Sequence, residues 1–208
     1  MRYSGVVARP RRQSERRQGI IEAASRVIAD RGYAGARVKD IASEAGLSPQ
    51  SVLYYYPEVE QLLAEAVRHA VTRYVARRRE TVDSLDEPVA QLRAMIRAGF
   101  PSPPEDVAII YQSTGAIRND PGLRGLVESL TAHQVELYRR VLDVGASCGV
   151  FRLAVPSGVI AANLVALEDA YGLYMLEGSR LTVDEAVANV SAFASLAVGV
   201  DLDGERFT

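Results

Sequence analysis

Apolar residues recur at helical intervals along almost the whole chain. Ile20, Ala24, Val27 and Ile28 form one stripe of a helix that starts at Ser14 and stops at Asp30-Arg31-Gly32, with the glycine as C-cap. A short helix is predicted from Val38 to Ala45, burying Val38, Ile41, Ala42 and Ala45 before Gly46 breaks it. Ser48 as N-cap and Pro49 at the first helical position, where its missing N–H costs nothing, open the next helix. That helix buries Val52, Leu53 and Tyr56 and stops near Pro57. Leu62, Leu63, Ala66, Val67, Ala70, Val71, Tyr74 and Val75 then mark one long buried face that runs to Arg77-Arg78-Arg79.

Beyond Thr81 the pattern predicts helices over 88–99, 104–118, 121–147, 156–177 and 183–199. The breaks between them are Pro101-Ser102-Pro103-Pro104, Asn119-Asp120-Pro121-Gly122, Cys148-Gly149 and Gly178-Ser179. Thr182 and Glu185, three residues apart, make a capping box for the last helix. No stretch reads as a strand and no solenoid repeat is present. The expected fold is all-α with about nine helices. A flexible basic tail (1–13) precedes a three-helix domain (14–58), a connecting helix (59–80), and a larger helical domain (81–208).

Composition narrows the function. The chain has 208 residues, 48% of them hydrophobic and 24% charged, as globular proteins do. Asn163, Glu168 and Asp169 interrupt its longest apolar run, around Val159 to Leu176, and the N-terminus lacks an apolar signal core. A cytoplasmic protein with no membrane partner is therefore expected. Cys148 is the single cysteine, which excludes an internal disulfide, and with only two histidines it excludes a zinc-finger framework. No metal or cofactor is expected. The net charge of −2 hides a division: residues 1–80 hold 15 Lys+Arg against 9 Asp+Glu, whereas residues 81–208 hold 9 against 17. A basic N-terminal part that meets a polyanion, joined to an acidic part that does not, accounts for this.

The run from Val38 to Tyr56 has the requirements of a helix-turn-helix. Ala42 is small where two helices cross, and Gly46 supplies the turn residue that tolerates positive φ. Ile41, Ala45, Leu47 and Val52 face inward against the first helix. Pro49, Gln50, Ser51, Tyr54 and Tyr55 are left facing outward, at the end that would enter a major groove.

The stretch from Arg16 to Leu63, "RRQGIIEAASRVIADRGYAGARVKDIASEAGLSPQSVLYYYPEVEQLL", resembles the N-terminal domain of TetR-family transcriptional regulators. The match runs through Ile20, Ala23, Ala24, Gly32-Tyr33, Val38, Ile41-Ala42, Ala45-Gly46-Leu47-Ser48, Tyr54-Tyr55-Tyr56 and Leu62. Gly149-Val150-Phe151-Arg152 and Leu167-Glu168-Asp169-Ala170-Tyr171-Gly172-Leu173 resemble, more weakly, the BetI-like effector domains. The resemblance implies a homodimer that binds a palindromic double-stranded DNA operator, usually as a repressor, and is released by a small-molecule effector. It puts Lys39 at a base- or phosphate-contacting position and Arg37 where many members have a threonine. It puts Ser48, Pro49, Gln50 and Ser51 at the base-reading start of the recognition helix, and Tyr54 and Tyr55 at phosphate-contacting positions. Gln50 suits an adenine edge.

Two residues depart from the family pattern. Leu53 stands where a tyrosine is common, and Val59 where a lysine usually grips the DNA backbone. The arginines Arg9, Arg11, Arg12, Arg16 and Arg17 are expected to offset that lost phosphate contact.

In the remainder, Tyr111, Thr114, His133, Tyr138, Glu168 and Tyr171 are candidate effector contacts among apolar neighbours. For His133 a surface or satisfied core position is the alternative. Glu168 and Asp169 either read a cationic effector, pair across a dimer interface or face water. Val165, Val187, Val190, Phe193, Ala194 and Ala197 are candidates for the dimer interface, because helices apolar on more than one face need a second surface to cover them. An enzyme is the rival reading, but no phosphate loop, paired histidine ligands or nucleophile elbow supports it. A helical adaptor that has lost specific DNA binding is the other rival.

Overall fold

The computed structural model describes residues 8–100 and 105–202, the side chains of 8–11 and Glu105 excepted. Among the described residues there are ten α-helices, one 3-10 turn and no strand. They are α1 (Ala8–Arg31), the 3-10 turn Tyr33–Gly35, α2 (Val38–Glu44), α3 (Pro49–Tyr55), α4 (Val59–Asp83) and α5 (Pro88–Gly99). After these come α6 (Glu105–Gln112), α7 (Thr114–Asn119), α8 (Pro121–Ser147), α9 (Ser157–Leu176) and α10 (Val183–Val198). The all-α expectation holds.

Two differences from the expected helices have local causes. α1 begins at Ala8 rather than Ser14, so the part of the basic tail from Ala8 on is helical. Pro10 falls in the first turn, where N–H groups lack intrahelical partners in any case, so it does not bar the helix. Residues 1–7 of the expected tail lie outside the described residues. The predicted helix 104–118 is two helices, α6 and α7, broken at Ser113. The buried Ser113 hydroxyl donates to the Ile109 carbonyl at 2.7 Å, a back-bond that competes with the helical ladder and bends it.

The chain forms two compact units. One is the chain up to Val71 with Ala108–Arg124; the other is Thr72–Val107 with the chain from Gly125 on. The division between the units falls within α4, and α7 packs on the 3-10 turn within the first unit.

In the first unit α1 packs on α2 and α2 on α3 around Ile20, Ala24, Ile28, Ile41 and Val52, all with no exposed surface or nearly none. Arg26 pairs with Glu44 at 2.6 Å and Arg31 with Asp40 at 2.7 Å, joining α1 to α2 at their outer edges. In the second unit α5, α9 and α10 pack together over a core that includes Leu92, Ile96, Leu142, Leu164 and Val190. Phe151 caps the end of α8: its ring lies where a Cβ on Gly145 would be, 2.1 Å from that position.

α9 carries the interrupted apolar run. It is long and apolar enough to cross a membrane by length and composition. Its inward face, however, is built into the core through Ile160, Ala161, Leu164, Val165 and the buried Glu168.

Candidate nucleic-acid interface and effector core

The turn between α2 and α3 is set by backbone bonds around Gly46, at φ 64°. Leu47 N–H donates to the Ala42 carbonyl at 2.8 Å and Gly46 N–H to the Ser43 carbonyl at 3.2 Å, the Schellman pattern that a left-handed glycine permits. Ala42 is buried at the crossing. α3 starts where predicted: Ser48 Oγ accepts from Ser51 N–H at 3.2 Å, with Pro49 in the first turn. The Ser48 and Ser51 hydroxyls also meet each other at 2.9 Å. Both serines are thus engaged in holding the helix start.

α3 is anchored by Val52 and by Tyr56, its C-cap residue, both buried. Arg17 stacks over the Tyr56 ring, 4.5 Å from its centroid, and reaches Glu65 at 3.4 Å. Burial, helped by Glu65, pushes the Tyr56 phenol up to about 12. Arg17 is therefore part of the scaffold that holds Tyr56, while its side chain stays partly exposed. Pro49, Gln50 and Tyr54 are exposed, Tyr55 is half-buried, and the Tyr54 and Tyr55 rings meet edge to face at 5.3 Å. Leu53, expected inside, is exposed on this face, since α3 has one buried stripe and Val52 and Tyr56 fill it. Ala45 and Leu47 are only half-buried.

Two surface grooves collect the predicted cations of this unit. In one, Arg12 and Arg16 of α1 lie with Tyr54 and Tyr55 of α3. The other is lined by Arg37, Lys39 and Val59, so two cations stand beside the position where the family's lysine is missing. The Arg37 guanidinium donates to the Ala34 carbonyl at 2.9 Å, and Lys39 is exposed. Arg11 lies in α1, with its side chain outside the described ones.

The effector-domain candidates scatter. Tyr111 and Thr114 belong to the first unit, where the Thr114 hydroxyl donates to the Tyr111 carbonyl at 2.6 Å. His133 is exposed, and its Nδ1 lies 2.7 Å from the Ser129 carbonyl. Tyr171 is half-buried, edge to face with Tyr174 at 6.4 Å. Tyr138 and Glu168, by contrast, are brought together deep in the second unit around a residue that sequence reasoning passed over, Arg78.

Arg78 is 2% exposed and Glu168 3% exposed. The guanidinium is bidentate to the carboxylate, Nη1 to Oε2 at 2.8 Å and Nη2 to Oε1 at 3.2 Å. Nη1 also donates to the Tyr74 hydroxyl at 2.8 Å, and the Tyr138 hydroxyl donates to Glu168 Oε1. Tyr74 in turn donates to Gln134 Oε1 at 3.4 Å. The Arg78 cation lies 5.5 Å from the Tyr74 ring centroid and 5.4 Å from that of Tyr138. Burial pushes the Glu168 carboxyl above its ordinary range, against the opposing pull of Arg78. Burial and the adjacent Glu168 hold the Tyr138 phenol well above 10. Of the three readings left open for Glu168, none describes this internal ion pair. The signal was present: Tyr74, Arg78 and Val82 follow one another at four-residue spacing on the buried stripe of α4. The neighbouring arginines differ, since Arg77 and Arg73 pair with the buried Asp106.

The dimer candidates divide as well. Val165, Val190, Ala194 and Ala197 are buried inside the chain's own core, and Val187 is half-buried. Only Phe193 is exposed, at 37%. The large outward apolar residues of these helices are Val159, Leu173 and Tyr174 on α9, and Phe193 and Leu196 on α10, with Leu196 75% exposed.

Residues 20–66 match the family described as bacterial regulatory proteins, tetR family. The HTH-type transcriptional regulator BetI of Agrobacterium fabrum is 30% identical over 203 residues, covering 92% of each chain. The HTH-type transcriptional repressor KstR2 of Mycolicibacterium smegmatis is 26% identical over 145 residues, 69% of this chain and 71% of the relative. Among solved structures, a protein from Saccharomonospora viridis described as a transcriptional regulator, in complex with choline, superposes with a TM-score of 0.82. It shares 28% identity over 89% of this chain and 98% of that one. With this full-length likeness added to the matched helix-turn-helix, the chain belongs to the TetR family of bacterial transcriptional regulators.

Proposed function

We propose that the protein is a homodimeric repressor that binds a palindromic operator through α3 and leaves it when a small molecule binds the second unit. The observation that supports this reading best is the outward face of α3. A helix capped by Ser48 and held by Val52 and Tyr56 presents Pro49, Gln50 and Tyr54 to solvent. Gln50 reads a base edge, while Tyr54, Tyr55, Arg12, Arg37 and Lys39 take phosphates. Reading DNA places the protein in the cytoplasm.

The stripe of Val159, Leu173, Phe193 and Leu196 on α9 and α10 is the face for the second copy. A homodimer presents two recognition helices, and half-sites one turn of DNA apart, about 34 Å, call for two. The effector acts through α4, whose residues enter both units. A ligand that prefers one setting of α4 changes the spacing of the two α3 helices, with a coupling of about 1–3 kcal/mol. The choline held by the Saccharomonospora viridis protein directs the effector search to organic cations.

The test is binding of the purified protein to the DNA upstream of its own gene, at two salt concentrations and against unrelated competitor DNA. Tight, site-preferring, salt-dependent binding is expected. Equal weak binding to all DNA would leave the adaptor reading in its place.

A further inference from the structure

The Arg78 cluster has the composition of a cation receptor. Two tyrosine faces, Tyr74 and Tyr138, flank a buried carboxylate, Glu168, and a positive group sits between them at cation–π distance from both rings. In this chain that positive group is a side chain of α4 itself. We propose that the box of Tyr74, Tyr138 and Glu168 is a binding site for a small organic cation, and that Arg78 occupies it as a tethered competitor. This inference rests on the regulator reading above and names the class of its effector.

Three features favour exchange over a fixed structural pair. Arg78 is imperfectly satisfied, since its buried Nε–H has no hydrogen-bond partner. Such an orphaned donor is a cost that departure of the side chain would relieve. A way out exists: a cleft of about 100 Å³ between α4 and α8 is lined by Arg78 and Gln134 and opens past Arg79, Leu137 and Glu136. At its rim the released guanidinium meets water beside the exposed Glu136 carboxylate, which is itself paired with Arg139. The exchange also conserves charge. One monocation replaces another against Glu168, so the buried carboxylate is never left unpaired, which is the step that makes breaking a buried ion pair expensive. Because Arg78 is carried by α4, its displacement acts directly on the helix whose residues enter both units.

The test uses the full chain with tetramethylammonium and methylguanidine as probes. In the wild type the buried Arg78 Nε–H is expected to exchange slowly by NMR, and either probe at saturation should abolish that protection. Arg78→Ala should bind methylguanidine at least about tenfold more tightly than the wild type, because the internal competitor is gone. Arg78→Ala/Glu168→Gln should lose that gain. Where Arg78→Ala alone is unfolded, methylguanidine should restore its helical circular dichroism, and failure to do so overturns the proposal. So do equal affinities in the wild type and Arg78→Ala, or an Arg78 Nε–H that stays protected at saturating cation. Operator binding by the same wild-type preparation separates the two readings. If it is intact while cation binding fails, the receptor proposal alone falls; if it is absent, the regulator reading falls.

Discussion

A Cβ on Gly99 would lie 2.4 Å from both Cδ and Oε1 of Glu168. Glycine at the end of α5 is thus what lets the carboxylate sit deep enough to take Arg78 in both forks. The clashing atoms end a side chain that is elsewhere flexible. Here they are pinned by the bidentate guanidinium and by the Tyr138 hydroxyl, so they cannot swing aside cheaply. Gly99→Ala should therefore cost about 1–3 kcal/mol, as overpacking of a filled core does. Gly115→Ala on α7 is the control, since nothing lies within 4 Å of its Cβ. Thermal or urea unfolding of the two variants measures the difference; equal stability would mean that Glu168 has room to move.

On the face proposed to read DNA, base and phosphate contacts should separate experimentally. Gln50→Ala should weaken operator binding by about 1–3 kcal/mol and relax the preference at one base position. Lys39→Ala should instead weaken binding to all sequences and reduce the salt slope by about one. Titrations at several salt concentrations on operator and random DNA tell the two patterns apart.

Leu196 is 75% exposed on α10, beside the 37% exposed Phe193, and the replacement of either by glutamate leaves the core residues Val190 and Ala194 untouched. Leu196→Glu is expected to give a folded monomer by sedimentation or light scattering. It should lose cooperative operator binding while keeping its helical content. A dimer of unchanged strength would place the interface elsewhere.

The Tyr56 phenol carries a pH signature. Its ordinary value is 10 and burial takes it to about 12 in the folded chain. The folded state therefore holds this proton more tightly than the unfolded one. The stability it confers is complete below pH 10 and drains away as pH rises toward 12. By ultraviolet titration, Tyr56→Phe should remove one ionisation near pH 12 from the wild-type curve, and with it the associated loss of stability.

The sequence by itself determined the helix-turn-helix. Each of its parts is specified by neighbours within a few residues: Ser48 accepts from Ser51, Gly46 takes the positive φ, and Ile41, Ala42 and Val52 keep one helical phase. Local rules suffice there because the bonds that stop and start the helices are themselves local. The same holds for the capping box of Thr182 and Glu185.

Tertiary structure alone decided the rest. α9 is apolar around most of its circumference, so its pattern has no phase from which to tell a partner-facing valine from a core one. Val165 went inside and Val159 outside because α5 and α10 pack on one side of it. Arg78 and Glu168 each stand at helical spacing on a buried face, a sign that both charges go inward. Their pairing across 90 residues, between two tyrosines and over a glycine that makes room, follows only from how α4, α5, α8 and α9 come together. A buried charge is tolerable only where an opposite charge meets it, and sequence spacing within one helix carries no information about which other helix will supply it.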